Sequence, residues 1–178
     1  YFDNAATSWP KPTGVHEAVL ASFEESGGNP GRAGHRMSIA ASRVVEDARD
    51  LVARLINAPD PSRVVFTKNA TEALNIAIYG MIEPGDHAVT TSVEHNSVMR
   101  PLRDLESRGS ELTVVPCASD GTLDVDEVER AIKPNTRLLV TAHGTNVVGS
   151  LLPIDRLAAL ARGRGVPYLV DASQTVGA

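Results

Sequence analysis

Short apolar strands alternate with amphipathic helices along most of this chain. Strand-like runs occupy residues 64–67, 87–91, 111–116, 137–142 and 166–170, and helical patterns lie between them at about 70–81, 96–108, 124–132 and 155–163. Strands that alternate with helices of this length predict βαβ units, which place successive strands parallel in one sheet. We therefore expect an α/β fold whose mainly parallel sheet is flanked by helices.

The first 60 residues follow a different pattern. Residues 1–12 form a Pro-containing arm, 13–25 have a helical pattern, and 26–34 form a glycine-rich loop. Residues 38–57 make the most regular helix, because their apolar residues recur on one face: Ile39, Val44, Val45, Ala48, Leu51, Val52, Leu55 and Ile56. We expect an arm over 1–12 and one domain from residue 13 onward.

Charge and composition exclude several classes of protein. Seventeen Lys+Arg against 22 Asp+Glu leave a net charge of −5, which argues against binding to nucleic acid or an anionic membrane. The apolar runs are too short to cross a bilayer. A single cysteine, Cys117, cannot form an intrachain disulfide and favours a cytoplasmic location. The five histidines lack the spacing of a zinc site, so we expect no metal.

Polar residues follow four of the five predicted strands. These segments are Asn69-Ala70-Thr71, Ser92-Val93-Glu94-His95, Gly144-Thr145-Asn146 and Asp171-Ala172-Ser173-Gln174. The carboxyl ends of parallel strands share one edge of a sheet, and open α/β sheets bind ligands there. Four such segments on one edge predict a pocket.

Each segment taken alone has an ordinary explanation as well. Asn69 with Glu72 is typical of a capping box, and the same helix start could hold an anion. His95 is compatible with a hydrogen-bonded turn residue or with a catalyst. Asp171 is compatible with a helix cap or with an acid that faces a heterocycle. The chain has neither a Walker loop nor a G-x-G-x-x-G pattern, which argues against a nicotinamide dinucleotide domain.

Read together, these motifs resemble the cysteine desulfurases, which are class V, fold-type I enzymes that use pyridoxal 5′-phosphate (PLP). The resemblance covers nearly the whole chain. Besides the segments at Asn146 and Asp171 it includes Tyr1-Phe2-Asp3-Asn4-Ala5-Ala6-Thr7, Asn29-Pro30-Gly31-Arg32 with His35-Arg36, Asn69-Ala70-Thr71-Glu72-Ala73-Leu74-Asn75 and Glu94-His95-Asn96-Ser97. It implies the large PLP-binding domain of the fold-type I transferases, and conversion of L-cysteine to L-alanine with transfer of a persulfide.

The resemblance assigns cofactor contacts to six residues: Ala70, Thr71, His95, Asn146, Asp171 and Gln174. Ala70 and Thr71 would hold the phosphate, and His95 would stack on the ring and act as acid or base. Asn146 and Gln174 would contact the ring and its phenolic oxygen. Asp171 would pair with the protonated pyridine nitrogen, and a protonated ring withdraws electrons from the α-carbon of the substrate.

A second implied set is Arg32, His35 and Arg36, which match a loop near the active-site mouth of a homodimer. The alternative for these three is a solvated basic turn. Selenocysteine lyase and other class V aminotransferase-type enzymes are alternatives on the same scaffold. A non-catalytic binding or assembly domain is an alternative from another class.

The resemblance also implies parts that this chain does not match. Family members are considerably longer, and Lys11, Lys68 and Lys133 do not match the lysine that forms the Schiff base with PLP. Cys117 does not match the cysteine that takes the sulfur, and burial as a small apolar side chain is expected for it. We expect an N-terminal part of the large domain, lacking the rest of that domain and the small C-terminal domain, and inactive alone. The parent enzyme would act on cysteine or a close analogue and pass sulfur to an acceptor protein.

Overall fold

The computed structural model describes residues 1–2, 4 and 6–177. Asp3 and Ala5, which belong to the first motif of the resemblance, and Ala178 lie outside the described residues. The chain divides into two compact units, residues 1–66 and 67–178. The proposed division into an arm and one domain stays a prediction.

The first unit contains helix α1 (Val15–Glu25) and helix α2 (Arg36–Leu55), followed by a 3-10 turn at Pro61–Arg63. His35 caps α2, because its Nδ1 accepts a hydrogen bond from the amide of Ser38 at 3.3 Å. The hydroxyl of Ser38 donates to the carbonyl of Asn29 at 2.7 Å and so fixes the glycine-rich loop against α2. A Cβ at Gly28 would lie 2.6 Å from the amide nitrogen of Ser38, so this close approach requires glycine.

Both helices predicted in this unit are present, with ends displaced by one or two residues. The apolar stripe predicted for α2 is not a buried face of the unit, since Ile39, Val44, Leu51 and Leu55 are exposed.

The predicted strand at 64–67 is wrong. Val64 has an extended backbone (φ −81°, ψ 115°), as its β-branched neighbours favour. Residues 64–67 nevertheless pair with no strand in the part of the chain that the structure describes, and Val65 is 73% exposed. The β-propensity of these residues favours an extended backbone, but only a neighbouring strand supplies the hydrogen bonds that make the segment part of a sheet.

The second unit is the predicted α/β fold. Its elements are α3 (Ala70–Met81), β1 (His87–Thr91), α4 (Asn96–Ser107), β2 (Glu111–Val115), α5 (Val125–Ala131), β3 (Thr136–Ala142), α6 (Ile154–Arg164) and β4 (Tyr168–Asp171). The strands form one sheet in the order β2-β1-β3-β4, and all three pairs are parallel. The parallel sheet flanked by helices is therefore confirmed.

Helices cover both faces of this sheet. On one face Ile78 of α3 and Leu102 of α4 pack with Leu138 and Val140. On the other face the cluster contains buried residues of α5 and α6, such as Val128 and Leu157, together with Val89 and Leu139 of the strands. Burial on both faces explains why the sequences of β1 and β3 are nearly continuous apolar runs.

In the described residues, no helix has the length and hydropathy needed to cross a membrane.

The strand order places a crevice between β1 and β3. From β1 the chain moves outward to β2, and it then returns to the other side of β1 to form β3 and β4. Pairing between β1 and β3 ends at Val89 with Leu139. The outer pairs continue further, to Thr91 with Val115 and to Ala142 with Asp171. The two central strands therefore separate at their carboxyl ends, at the point where open α/β sheets bind ligands.

Candidate active site

A cavity of about 270 Å³ opens at this edge of the sheet. Its lining includes all six residues predicted to contact a cofactor: Ala70, Thr71, His95, Asn146, Asp171 and Gln174. They come from the start of α3, the loop before α4, the loop after β3 and the end of β4. The tertiary fold therefore brings together residues that are up to 104 positions apart in sequence, while their roles toward a cofactor stay predictions.

The start of α3 is both a capped helix end and one wall of the cavity. Asn69 caps it, since its Oδ1 accepts a hydrogen bond from the amide of Glu72 at 2.9 Å. Glu72 reaches back, and its Oε2 accepts from the amide of Lys68 at 2.9 Å. The amides of Ala70 and Thr71 belong to the first turn, where helical geometry supplies no carbonyl partner, and they carry the positive end of the helix dipole. The cap orders this helix end, and the end can hold an anion.

His95 forms the next wall and also caps α4. Its Nδ1 accepts a hydrogen bond from the amide of Ser97 at 3.1 Å and lies 2.7 Å from the hydroxyl of Ser97. A backbone N–H can only donate, so Nδ1 is the acceptor and the neutral ring carries its proton on Nε2. The ring is exposed at the cavity. His95 is thus a hydrogen-bonded turn residue that also faces the cavity.

Ser97 is a residue that the sequence interpretation missed. It is 7% exposed, and its Oγ lies 2.9 Å from Oγ1 of Thr71 on the neighbouring helix. Asn75 adds a second link between the helices, because its Nδ2 donates to the carbonyl of Thr71 at 2.8 Å and lies 3.5 Å from the carbonyl of Ser97. The position of Ser97 in the first turn of α4, two residues after a candidate histidine, is the signal that could have identified it.

The loop after β3 holds Asn146 at the rim of the cavity. Gly144 and Leu151 form an isolated antiparallel bridge, and the amide of Thr145 donates to the carbonyl of Ser150 at 3.0 Å. Gly144 also packs tightly, since a Cβ there would lie 2.7 Å from Cγ2 of Thr175. These contacts give Asn146 a defined position although its side chain is exposed.

Asp171 is the last residue of β4 and lines the same cavity as the start of α3. Its Oδ1 accepts hydrogen bonds from the amide of Ser173 at 3.0 Å and from the hydroxyl of Ser173 at 2.5 Å. These two bonds orient the carboxylate. Gln174 follows within the same turn, which is closed by a bond from the amide of Thr175 to the carbonyl of Ala172 at 3.0 Å.

Glu94 is the second residue that the sequence interpretation missed. It was part of a recognised motif but had no assigned role. Burial raises the pKa of Glu94 to about 7, and the negative charge of Asp171 adds to this increase. Hydrogen bonds from the hydroxyl of Thr91 and the amide of Ala142 act in the opposite direction. An acid three residues after a buried strand and immediately before a candidate histidine is the signal that the sequence offered.

The remaining candidates lie elsewhere. Arg32, His35 and Arg36 belong to the first unit, where Arg32 and Arg36 are exposed and His35 caps α2. Their assignment to an active-site mouth stays a prediction. Cys117 is half-buried, and burial raises the pKa of its thiol. Over residues 1–2, 4 and 6–177, no cluster of three His, Cys, Asp or Glu side chains could hold a metal ion.

Comparison with known protein families agrees with this geometry. A sequence model of the family described as Aminotransferase class-V matches residues 1–178. The chain belongs to the class-V aminotransferases. Among these proteins it is 37% identical to the cysteine desulfurase IscS of Methylococcus capsulatus, over 99% of this chain and 44% of that protein. It is 35% identical to a probable cysteine desulfurase of Methanothermobacter thermautotrophicus, with the same coverage. The chain thus spans less than half the length of these curated relatives.

Solved structures of proteins similar to this chain show the same fold. SspA in complex with cysteine superposes with a TM-score of 0.90 at 34% identity, over 98% of this chain and 51% of SspA. The apo cysteine desulfurase of Thermococcus onnurineus also gives a TM-score of 0.90 at 34% identity, over 97% of this chain and 43% of that enzyme. The fold predicted from the family resemblance is confirmed.

Proposed function

We propose that this chain supplies the PLP-binding part of a cysteine desulfurase, which converts L-cysteine to L-alanine and passes the sulfur on as a persulfide. The observation that carries this proposal is one cavity lined by the N-terminus of α3, by His95 and by the carboxylate of Asp171. The cysteine desulfurase names of the relatives, and the cysteine bound to SspA, support the choice of substrate.

The charges of the cavity fit PLP. The phosphate of PLP is an anion, and the first amides of α3 with the hydroxyl of Thr71 suit it. The pyridine nitrogen gains a proton beside a carboxylate, which Asp171 supplies at the end of β4. The amides of Asn146 and Gln174 can donate hydrogen bonds to the phenolic oxygen.

When bound, PLP would act as the electron sink for carbanion chemistry at the substrate. Residues of this chain would bind and orient it. Ala70 and Thr71 would hold the phosphate, and Asp171 would hold a proton at the pyridine nitrogen, while Ser173 keeps the carboxylate of Asp171 in place. His95 would stack on the ring, and it carries its own proton at Nε2, from which it can donate.

The direct test uses the full-length protein that carries this chain. It should develop the visible absorption of bound PLP and release alanine and sulfide in equal amounts from L-cysteine in the presence of a reducing agent. Faster release of selenide and alanine from L-selenocysteine would instead support the selenocysteine lyase alternative. PLP binding without turnover of either amino acid would indicate another class-V reaction, and no PLP binding would overturn the proposal.

We further propose a cytoplasmic homodimer in which Arg32, His35 and Arg36 lie near the mouth of the site, with a sulfur-acceptor protein as partner. The exposure of Arg32 and Arg36 is compatible with this placement. Sedimentation of the full-length protein should give twice the protomer mass. Replacing both arginines with alanine should raise the KM for cysteine more than it lowers kcat. An unchanged KM would support the solvated basic turn instead.

A further inference from the structure

A single carboxyl group bridges the two strands that separate at the crevice. Beyond Val89 and Leu139 the backbone pairing of β1 and β3 ends. Glu94 then contacts both strands, because its Oε1 accepts from the hydroxyl of Thr91 at 2.5 Å and its Oε2 from the amide of Ala142 at 2.8 Å. Thr91 ends β1 and Ala142 ends β3, so this carboxyl group replaces the missing ladder bond at the strand ends.

A second side chain bridges the same gap one step deeper. The hydroxyl of Thr90 donates to the carbonyl of Val140 at 2.9 Å, and Thr90 is fully buried. Thr90 thus marks where the strands begin to separate. Glu94 sets their separation where the cavity begins, since Ala142 itself lines the cavity.

The two strand ends lead directly into two different parts of the cavity lining. On the β1 side, Glu94 is followed by His95. On the β3 side, Ala142 precedes the loop of Asn146 and lies in register with Asp171 of β4. A change in the distance between Thr91 and Ala142 would therefore move His95 relative to Asn146 and Asp171.

We propose that Glu94 is a positioning residue that fixes the spacing between the His95 wall and the Asn146–Asp171 wall for cofactor binding. This inference rests on the proposed function for its ligand, PLP. Burial of an acid costs stability, and the raised pKa of Glu94 reflects that cost. Keeping an acid here is consistent with a role that an apolar side chain of similar size cannot fill, because the Ala142 amide and the Thr91 hydroxyl would then lose their partner.

Charged and titratable groups approach Glu94 from each neighbouring element. Asp171 and Tyr168 lie on β4, Cys117 follows β2, and His95 is the next residue in sequence. Tyr168 is held by Thr141, whose Oγ1 lies 2.7 Å from the phenol oxygen, and burial raises the pKa of Tyr168 to about 12. Of these groups, Asp171 and His95 connect Glu94 to the proposed cofactor contacts.

Two variants of the full-length protein separate positioning from charge. Glu94→Gln keeps an acceptor for the Ala142 amide and a donor toward Thr91, and it should bind PLP within about twofold of the wild type. Glu94→Ala removes both bonds and should raise the Kd of PLP about tenfold, because the two strand ends lose the link that sets their spacing. Glu106→Ala removes a partly exposed carboxylate of α4, which pairs with Arg103, and is the control that should leave the Kd unchanged.

Hydrogen exchange at the Ala142 amide of the apo protein gives a readout that needs no cofactor. Exchange should be slow in the wild type and in Glu94→Gln, and at least about tenfold faster in Glu94→Ala, because a lost hydrogen bond lowers local protection. If Glu94→Ala does not fold, Thr91→Val is the alternative variant, because valine has the shape of the fully buried threonine but lacks the hydroxyl that donates to Glu94. It should increase the exchange rate at Ala142 and the Kd of PLP by less than Glu94→Ala.

The outcomes are distinct. Wild-type protein that does not bind PLP would overturn the proposed function. Wild-type protein that binds PLP, together with Glu94→Ala or Thr91→Val protein of unchanged Kd, would overturn only the positioning role. Faster exchange at Ala142 with an unchanged Kd would likewise overturn it, because the bridge would then be structural without setting the site.

Discussion

The hydroxyl groups of Thr71 and Ser97 lie 2.9 Å apart and join the first turns of α3 and α4. The donor in this hydrogen bond can be identified from the contacts of Ser97 with His95. Because Nδ1 of His95 is an acceptor, the Ser97 hydroxyl donates to His95, and the Thr71 hydroxyl donates to Ser97. An anion bound at α3 would have to attract the Thr71 proton away from Ser97.

Replacing Thr71 should therefore weaken the binding of PLP, while replacing Ser97 should not. Thr71→Val removes the hydroxyl that would donate to the phosphate, and we expect the Kd of PLP to rise about tenfold. Ser97→Ala releases the Thr71 hydroxyl from its partner, so its Kd should equal or fall below that of the wild type. Fluorescence titration of the apo protein measures the Kd of both variants.

Thr71→Ser keeps the hydroxyl and is the matched control. Equal weakening by Thr71→Val and Ser97→Ala would show that the link between the helices matters and not the hydroxyl.

The charge of Asp171 should matter for turnover more than for folding. Asp171→Asn keeps an oxygen that can accept the two bonds from Ser173 but loses the charge that would hold a proton on the pyridine ring. We expect kcat for cysteine to fall on the order of 10²–10³-fold, as when another preorganised electrostatic group is removed. The measurement is alanine release at saturating PLP, with Asp155→Asn at the exposed start of α6 as control. Full activity of Asp171→Asn would remove Asp171 from the proposed site.

Glu94 should make the protein less stable as the pH rises from about 4.5 to about 7. Its pKa is raised in the folded state from an ordinary value of 4.5, so in this range the folded state keeps a proton that the unfolded state has released. The free energy of unfolding should fall across this window by up to about 3 kcal/mol, at about 1.4 kcal/mol per pKa unit. Urea unfolding of the apo protein at several pH values measures the slope. Glu94→Gln should flatten this part of the profile, and an equal slope in that variant would contradict the assignment.

Gly144 should not tolerate a side chain, because of space and not because of backbone angles. A Cβ would lie 2.7 Å from Cγ2 of Thr175, next to Gln174. We expect Gly144→Ala to lower the free energy of unfolding by about 1–3 kcal/mol, as in other overpacked sites, and to weaken PLP binding. Thermal and urea unfolding would check the first effect.

Gly163 provides the comparison for that change. It lies in α6, where an added Cβ would meet no neighbouring residue within 4 Å in the described part of the chain. Gly163→Ala should therefore stabilise the protein by about 0.5–1 kcal/mol, because alanine loses less backbone entropy in a helix than glycine does. A Gly144→Ala protein as stable as Gly163→Ala would mean that Thr175 moves aside without cost.

The local pattern of the chain predicted the second unit closely. The bounds of α3 and β1 agree with the expected 70–81 and 87–91, and the other helices and strands after residue 67 deviate by at most two residues at an end. These elements could be predicted because apolar spacing and caps such as Asn69 act within a few residues. The pocket also came from the sequence, since strand ends in a parallel sheet share one edge. The six candidate cofactor residues came from the family resemblance, and all six line the cavity.

The strand predicted at 64–67 shows the limit of that argument. Its β-branched and aromatic residues favour extension, and Val64 is extended. Whether an extended segment gains a partner depends on residues far away, which the local pattern does not contain.

In the second unit the sequence by itself determined, to within two residues, where helices and strands begin and end. It also determined that the sheet is parallel and which strand ends carry polar groups, because hydrogen bonding and apolar periodicity within a few residues control these features. Only the tertiary structure decided that β1 and β3 separate, that Ser97 links Thr71 to His95, and that Glu94 bridges the gap. Thr71 and Ser97 are 26 residues apart, and Glu94 and Ala142 are 48 apart. Contacts at that separation depend on the packing of whole elements, so no local pattern records them.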